Sequence, residues 1–172
     1  RVGNRLAAHA GDVRQAFNFF LMKDPQINAF ALPGGHIGLH TGLITAAQSE
    51  SEMAGVIGHE IAHVTQRHIA RMVSNQQVSQ WVSIASLAIA ILASRSNTQL
   101  AEAAAVAGPA LAVQRELNFS RDFEREDDRL GLQMLEKAGF DAGGMAAFFE
   151  RLQRATRLAD VGAPAFLRTH PV

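Results

Sequence analysis

The chain has 172 residues, of which 48% are hydrophobic and 19% charged, a balance that supports one globular domain with a sizeable core. Its 16 basic and 16 acidic residues cancel, so the positive surface expected of a nucleic-acid-binding protein is missing and no nucleic-acid partner is expected. There is no cysteine, which excludes a thiolate metal site, a thiol nucleophile and a disulfide framework. We expect a single domain over residues 1–172. Because the chain begins at Arg1 without a methionine, we interpret it as a fragment.

The first 40 residues predict a short helix and a small sheet. Arg1–His9 has helical character, and Gln15–Met22 is rich in phenylalanine, as is typical of a strand. Ile27–Leu32 and His36–His40 are two further extended runs, separated by a Pro-Gly-Gly turn signal. We therefore expect three strands in a small antiparallel β-meander.

From Ser49 onward the pattern is helical. Ser49 and Glu52 have the spacing of a capping box, and the apolar positions that follow predict a helix to about Met72. Further helices are predicted at Val78–Ala93, Leu100–Val113, Arg115–Ala138 and Gly143–Arg157. The fold class expected from these elements is α+β, mainly helical with a minor sheet.

One helical segment, Trp81–Ala93, is strongly apolar and carries no charge. A membrane-spanning helix needs about 20 such residues, and Arg95 ends this run sooner. We therefore expect a buried core helix. The alternative is a hairpin that contacts a membrane surface, with Leu100–Val113 as its second arm.

The segment His59-Glu60-Ile61-Ala62-His63 predicts a metal site. Residues four apart share one face of a helix, so the two imidazoles can reach one zinc ion. Glu60 lies about one helical step from His59 and can act on the ion's water as a base without being a ligand. The alternative is a helix with two solvated or capping histidines. We predict one Zn²⁺ per chain, with His59 and His63 as ligands and Glu60 as the catalytic base.

A catalytic zinc site usually has a third protein ligand. His68 follows His63 by five residues and is expected to point to a different side of the helix. Glu124 and Asp128 are four residues apart on one helix face. Glu124 can therefore ligate zinc while Asp128 accepts a hydrogen bond from a ligand imidazole. The alternative is that this acidic cluster is a solvated helix surface.

Four segments occur in a fixed order along the chain. They are NAFALPGG at Asn28–Gly35, TGLI at Thr41–Ile44, HEIAHV at His59–Val64 and SRDFEREDDRLG at Ser120–Gly131. Together they resemble the zinc metallopeptidase family of HtpX, the CAAX prenyl protease and mitochondrial OMA, and most closely its BepA-like bacterial periplasmic members. The resemblance implies a zincin-like (gluzincin) metallopeptidase fold.

The same resemblance implies the site residues. It assigns His59 and His63 as ligands, Glu60 as base, Glu124 as third ligand and Asp128 as the second acid of an E-x-x-x-D motif. One position departs from the family pattern: Asp127 stands where a small residue, commonly alanine, is usual. That departure changes local packing or charge but removes no ligand.

Two further regions gain a role from the resemblance. His170 lies in an Arg-Thr-His-Pro context, and in BepA-like proteins the matching histidine can reach the zinc and hold the site closed, or stabilise the oxyanion. Taken alone, His170 is a lone histidine with a surface or packing role. The strand around Asn28, Ala29, Phe30 and Ala31 resembles an edge that pairs with an extended peptide substrate; the alternative is an ordinary core strand.

The resemblance implies an endopeptidase that acts on misfolded or unassembled envelope or outer-membrane proteins in the bacterial periplasm. Polypeptide substrates and the outer-membrane protein assembly machinery are the implied partners. The alternative is a chaperone or assembly factor whose protease site is latent. BepA-like proteins usually carry a helical-repeat domain after the peptidase domain, and no such repeat is expected within these residues. A purely structural zinc site is disfavoured, because such sites usually have four protein ligands.

Overall fold

The computed structural model describes residues 1–11, 15–94, 97–159 and 164–170. Within them the elements are, in chain order, α1 Val2–Ala7, β1 Asn18–Met22, β2 Ala29–Leu32, β3 His36–His40, α2 Thr41–Ala46, α3 Glu50–Thr65, α4 His68–Ala93, α5 Thr98–Lys137, α6 Gly143–Ala159 and α7 Ala165–Thr169. The mainly helical α+β class is confirmed. The chain divides into two compact units, a first unit of Arg1–His68 with Phe123–Val172 and a second unit of Ile69–Asp122.

The three strands form a mixed sheet in the order β1-β3-β2, so the predicted antiparallel meander is wrong. β2 and β3 form the antiparallel hairpin expected from the turn at Gly34 and Gly35, both of which have positive φ. β1 lies parallel to β3 on its other side, with Asn18 opposite His36. After β1 the chain makes no tight hairpin, because Asp24 turns toward α2, where its carbonyl accepts hydrogen bonds from the backbone of Gly42 and the hydroxyl of Thr41.

Helix α3 begins as predicted and ends earlier than predicted. The Ser49 hydroxyl accepts a hydrogen bond from the backbone N–H of Glu52 at 3.1 Å, which confirms the cap. The helix ends at Thr65, not near Met72, because Arg67 adopts a left-handed conformation with φ of 54°. The chain then restarts as α4 at His68.

Two glycines allow α3 and α5 to cross closely. A Cβ atom added at Gly131 would lie 3.1 Å from the backbone nitrogen of His59, and one added at Gly58 would lie 3.0 Å from the Leu135 side chain. Larger residues at these positions would push the helices apart. The crossing therefore brings His59 alongside the face of α5 that carries Glu124.

The remaining helices partly match the sequence. α6 begins at Gly143 as predicted, behind Gly139 (φ of 71°) and Asp141, whose carboxylate accepts a hydrogen bond from the Gly143 N–H. α5 is one continuous helix where two were predicted. The short helices α2 and α7 were not predicted. The core of the first unit is formed by side chains such as Leu6, Ile61 and Phe148, all fully buried.

The second unit differs from expectation in its burial. Trp81 is 68% exposed and Leu92 is 76% exposed, so the prediction of a buried core helix over Trp81–Ala93 is wrong. Helix α4 is also longer than predicted, since it begins at His68 and not at Val78. One helix among the described residues, Ala70–Ala93, is long and apolar enough to cross a membrane by length and composition.

Candidate metal centre

Four side chains of the first unit converge at one point: His59 and His63 from α3, Glu124 from α5 and His170 at the end of α7. The Nε2 atoms of His59 and His63 lie 3.1 Å apart. The Nδ1 atom of His170 lies 3.2 Å from the first and 3.3 Å from the second. Glu124 Oε2 lies 3.2 Å from His170 Nδ1 and 3.4 Å from His59 Nε2. The three side chains predicted as ligands are therefore together, and His170 is with them.

These separations fit a tetrahedral metal ion. Two donor atoms bonded to zinc at about 2.0–2.1 Å, at a tetrahedral angle, lie roughly 3.3–3.4 Å apart. The distances among the four side chains scatter around that value. Imidazole and carboxylate together are the donor types of catalytic zinc sites.

The hydrogen atoms on the two α3 histidines give an independent test of this fit. Asp128 Oδ1 lies 3.0 Å from His59 Nδ1, and Asp127 Oδ2 lies 2.8 Å from His63 Nδ1. A carboxylate accepts hydrogen bonds, so each Nδ1 carries the ring hydrogen and each Nε2 presents a lone pair. Two lone pairs facing each other at 3.1 Å repel unless a proton or a metal ion lies between them. The residues present therefore suit a bound metal ion.

The pKa values of His59 and Glu124 also favour a positive charge in this cluster. Burial lowers the pKa of His59, but hydrogen bonds to Asp128 and Glu124 outweigh it and raise that pKa to about 10. Burial raises the pKa of Glu124, yet hydrogen bonds to His170 and His59 bring it down to about 2. The carboxylates therefore favour a positive charge at the imidazoles. A bound divalent cation would supply such a charge.

Glu60, the predicted base, lies beside this cluster. Its side chain is only 1% exposed, and Oε1 lies 3.5 Å from His170 Nε2. Among the described residues, Oε1 makes no hydrogen bond. A buried carboxylate oxygen without a partner costs free energy unless a water or substrate proton occupies it. Its position is therefore suited to accepting a proton at this site.

Sequence reasoning missed the environment of His63. The expectation that His68 points elsewhere is wrong: the break at Arg67 turns the chain, and His68 Nδ1 lies 3.2 Å from His63 Nδ1. Asp127, noted only as a departure, lies fully buried against both rings. Burial raises its pKa, but hydrogen bonds from His63 and His68 hold that pKa below the ordinary value. The available signal was its spacing of three residues from Glu124, which places it on the ligand face.

The short helix α7 explains how His170 reaches the cluster. Phe166 on this helix is fully buried and stacks on Phe149 with ring centroids 5.5 Å apart. Its backbone N–H donates to the carbonyl of Ile27 at 3.3 Å. One turn further along, the His170 ring lies 4.5 Å from the Phe166 ring. The phenylalanine anchors the helix and thereby positions the histidine.

The predicted substrate strand is β2, an outer strand of the sheet that also packs against α3. The Asn28 carbonyl accepts a hydrogen bond from the His40 N–H, so Asn28 and, two residues on, Phe30 direct their backbone groups toward β3. By the same alternation, the backbone groups of Ala29 and Ala31 point to the open side. No strand pairs with that side within the described part of the chain.

Known proteins with similar sequences indicate the family of this chain. A model of peptidase family M48 matches residues 1–172. An Escherichia coli (strain K12) protein named beta-barrel assembly-enhancing protease is 39% identical over 171 residues, which are 99% of this chain and 35% of that protein. A Vibrio cholerae protein given the same name provisionally is 46% identical, with 99% and 35% covered. The mitochondrial metalloendopeptidase OMA1 of Schizosaccharomyces pombe is 31% identical, with 99% and 48% covered. This chain thus spans 35% of the length of these bacterial relatives.

Proposed function

The chain belongs to peptidase family M48, and from this premise we propose that it is a zinc-dependent metalloendopeptidase domain with a zincin-like (gluzincin) fold over residues 1–172. The observation that carries the proposal is the convergence of His59, His63 and Glu124 beside the buried carboxylate of Glu60. Relatives named as proteases and metalloendopeptidases support the same reaction. One Zn²⁺ per chain is the proposed cofactor, because two imidazoles and a carboxylate are a typical ligand set for catalytic zinc.

The roles of the residues follow from their contacts. His59, His63 and Glu124 would hold the zinc, which when bound polarises the scissile carbonyl and makes water more acidic. Glu60 accepts the proton of the attacking water and passes it to the leaving amine. Asp128 keeps the Nδ1 hydrogen of His59 in place, so that the Nε2 lone pair faces the ion.

His170 holds the fourth position of the cluster in this structure. Its Nδ1 lies within 3.4 Å of His59, His63 and both oxygens of Glu124. A catalytic zinc needs an open position for water or substrate. We therefore assign this arrangement to a latent state, in which His170 closes the site and must leave before peptide hydrolysis. In this arrangement its Nε2 lies 3.5 Å from Glu60 Oε1. After displacement, we expect His170 to assist at the developing oxyanion.

We propose that the substrate binds in extended form along β2. The outward backbone groups of Ala29 and Ala31 would pair with the peptide main chain, and Asn28 and Phe30 would fix the strand to β3. Ala31→Pro removes one outward N–H and is expected to raise KM while leaving zinc content unchanged. The matched change Phe30→Pro removes an inward N–H instead, and should lower stability.

For the natural substrates, we propose misfolded or unassembled envelope and outer-membrane proteins, with a periplasmic location. The names of the bacterial relatives support this choice. The outer-membrane protein assembly machinery is then the expected partner. The exposed apolar residues of Trp81–Ala93 support contact with a membrane surface or with an apolar client segment.

A second candidate function is a chaperone or assembly factor with a latent protease site. The closed position of His170 favours it, because four protein ligands leave no room for substrate. The two functions differ in their need for Glu60. A Glu60→Gln variant that still supports outer-membrane protein assembly in cells would favour the second.

The central experiment measures cleavage of reduced casein by the zinc-loaded protein. His170→Ala is expected to increase the rate, and adding Glu60→Gln to it should reduce cleavage by at least about 100-fold, since the base is lost. Zinc content, measured by mass spectrometry, should stay at one per chain in both. Equal cleavage with and without Glu60 would show that another protease is responsible and would overturn the mechanism.

A further inference from the structure

The far side of the His63 ring carries a buried cluster that the proposed reaction does not use. Asp127 is 0% exposed and His68 is 1% exposed. Asp127 Oδ2 lies 2.8 Å from the Nδ1 atoms of both His63 and His68. We propose that Asp127 and His68 form a buried carboxylate–imidazole pair that orients His63 as a metal ligand and strengthens zinc binding. This inference rests on the proposed metal site and deepens it.

A buried carboxylate needs partners to offset its desolvation. Within the described residues both partners of the Asp127 side chain are imidazoles that meet Oδ2, while the buried Oδ1 has no hydrogen-bond partner there. The two Nδ1 atoms are 3.2 Å apart, so one oxygen between them receives both N–H groups at an angle and not as two linear hydrogen bonds. The arrangement fixes the Nδ1 hydrogen on His63 and leaves its Nε2 lone pair for the metal.

His68 is itself held in place, which makes it a rigid support. Its ring stacks on Phe123 with centroids 3.9 Å apart and planes within 10°. Its Nε2 lies 3.4 Å from Glu126 Oε2, so both ring nitrogens face a carboxylate. The left-handed residue Arg67 delivers it to this position at the start of α4. His68 therefore presents its Nδ1 atom to Asp127 from a fixed position.

The two ligand histidines are therefore supported unequally. The Asp128 side chain behind His59 is 43% exposed, whereas the Asp127 side chain behind His63 is fully buried. Water screens and competes for the first contact but is excluded from the second. We expect Asp127 to contribute more to metal affinity than Asp128, although it stands where the family pattern commonly has alanine.

The test measures the zinc dissociation constant of the full chain by competition with a chelator of known affinity. Asp127→Asn and Asp127→Ala should each weaken zinc binding about 10–100-fold, the range typical of groups that orient a ligand. Glu136→Gln makes the same acid-to-amide change at an exposed position of α5 and should leave the constant unchanged. The absorption spectrum of the Co²⁺-loaded protein should shift in the Asp127 variants and not in Glu136→Gln, because only they alter the geometry at His63.

Three results would overturn the proposed role of Asp127 and His68. Zinc affinity within twofold of the parent in folded Asp127→Asn would overturn it. Two zinc ions per chain, with the second lost in Asp127→Asn, would also overturn it, since His63, His68 and Asp127 would then be a second metal site. If circular dichroism shows that the Asp127 variants do not fold, His68→Phe is the variant to measure. It keeps an aromatic ring that can stack on Phe123 and removes the ring nitrogens. It should weaken zinc binding severalfold, and unchanged affinity in that variant would refute the proposal.

Discussion

The two units of this chain depart from ordinary burial in opposite directions. In the first, charged side chains such as Glu60 and Asp127 lie at or below 1% exposure around the candidate metal centre. In the second, large apolar side chains such as Trp81 and Leu92 are more than two-thirds exposed. Each departure costs free energy unless something offsets it. In the first unit, imidazoles and carboxylates compensate one another around the candidate metal position, whereas the second unit presents an apolar surface suited to an external partner.

The compensation inside the first unit can be traced residue by residue. His59 is paired with Asp128, and His63 with Asp127. The four donors that remain face one another at distances suited to a metal ion. In the second unit, Arg115 donates a hydrogen bond to the Asn75 side chain at 3.2 Å. Its outward apolar residues face solvent.

The largest expected difference between the two units comes from the same leucine-to-alanine substitution made in each. Leu135 is fully buried in the first unit, and Leu92 is 76% exposed in the second. Leu135→Ala should lower the free energy of unfolding by about 2–5 kcal/mol, because it leaves a cavity against α3. Leu92→Ala should change it by no more than about 0.5 kcal/mol. Urea denaturation measures both, and equal losses would show that the second unit is packed as tightly as the first.

Metal removal is the next largest expected effect. A ligand that binds only the folded state at about 100 times its dissociation constant stabilises it by about 2.7 kcal/mol. Chelation should therefore lower the Tm, and Glu124→Gln, which removes the carboxylate ligand, should reduce this effect of the chelator. Hydrogen exchange should rise in α3 and around Glu124 and stay unchanged in Ala70–Ala93. Increased exchange confined to the second unit would contradict the assignment of the metal centre.

A smaller effect is expected from the ion pair that joins the start of α3 to α6. Two nitrogens of Arg151 donate to the two Glu52 oxygens, each at 2.6 Å, and the Glu52 side chain is nearly buried. Glu52→Gln should cost about 1–3 kcal/mol, since it leaves the arginine poorly paired. Arg154→Gln breaks only the exposed pair with Glu150 and should cost about 0–0.5 kcal/mol.

The pH dependence of this pair has a definite sign. The hydrogen bond from Arg151 outweighs burial and lowers the pKa of Glu52 from its ordinary value of 4.5. A lowered pKa in the folded state means that the pair stabilises the protein above pH 4.5, and that this stability is lost as the pH falls through the lower folded-state pKa. The difference in unfolding free energy between the parent and Glu52→Gln should therefore shrink as the pH falls below 4.5. A constant difference from pH 7 to pH 3 would show that hydrogen bonding alone, without charge, explains the effect.

These effects fall on features that the sequence revealed to different degrees. The spacing of His59 and His63 and the cap at Ser49 are local, and local helical geometry was enough to predict them. The strand order was not predictable, because the place of β1 depends on a non-local pairing with β3. The predicted break at Gln114 is wrong, because this residue lies within the continuous helix α5, where its side chain donates to the Asn118 side chain one turn on.

The missed part of the site has the same origin. The position of His68 follows from one left-handed residue, Arg67, and a residue other than glycine or asparagine gives little signal of that conformation. Asp127 shares a helix face with Glu124, but only the crossing at Gly58 and Gly131 decides that this face is buried. Sequence periodicity identifies the residues that share one face of a helix. It does not show which other helix packs against that face.

The smallest effect on stability is expected at the exposed apolar face of the second unit. Trp81→Ser combined with Leu92→Ser should change the Tm by little, because each side chain is more than two-thirds exposed. The same change should weaken flotation of the protein with lipid vesicles, since it removes apolar area available to a bilayer. Thr65→Ser, in the first unit, serves as a control for both measurements. If the double variant loses as much stability as Leu135→Ala, the face is a folding core and the contrast between the units fails. If flotation weakens at constant Tm, the apolar surface serves contact with an external partner.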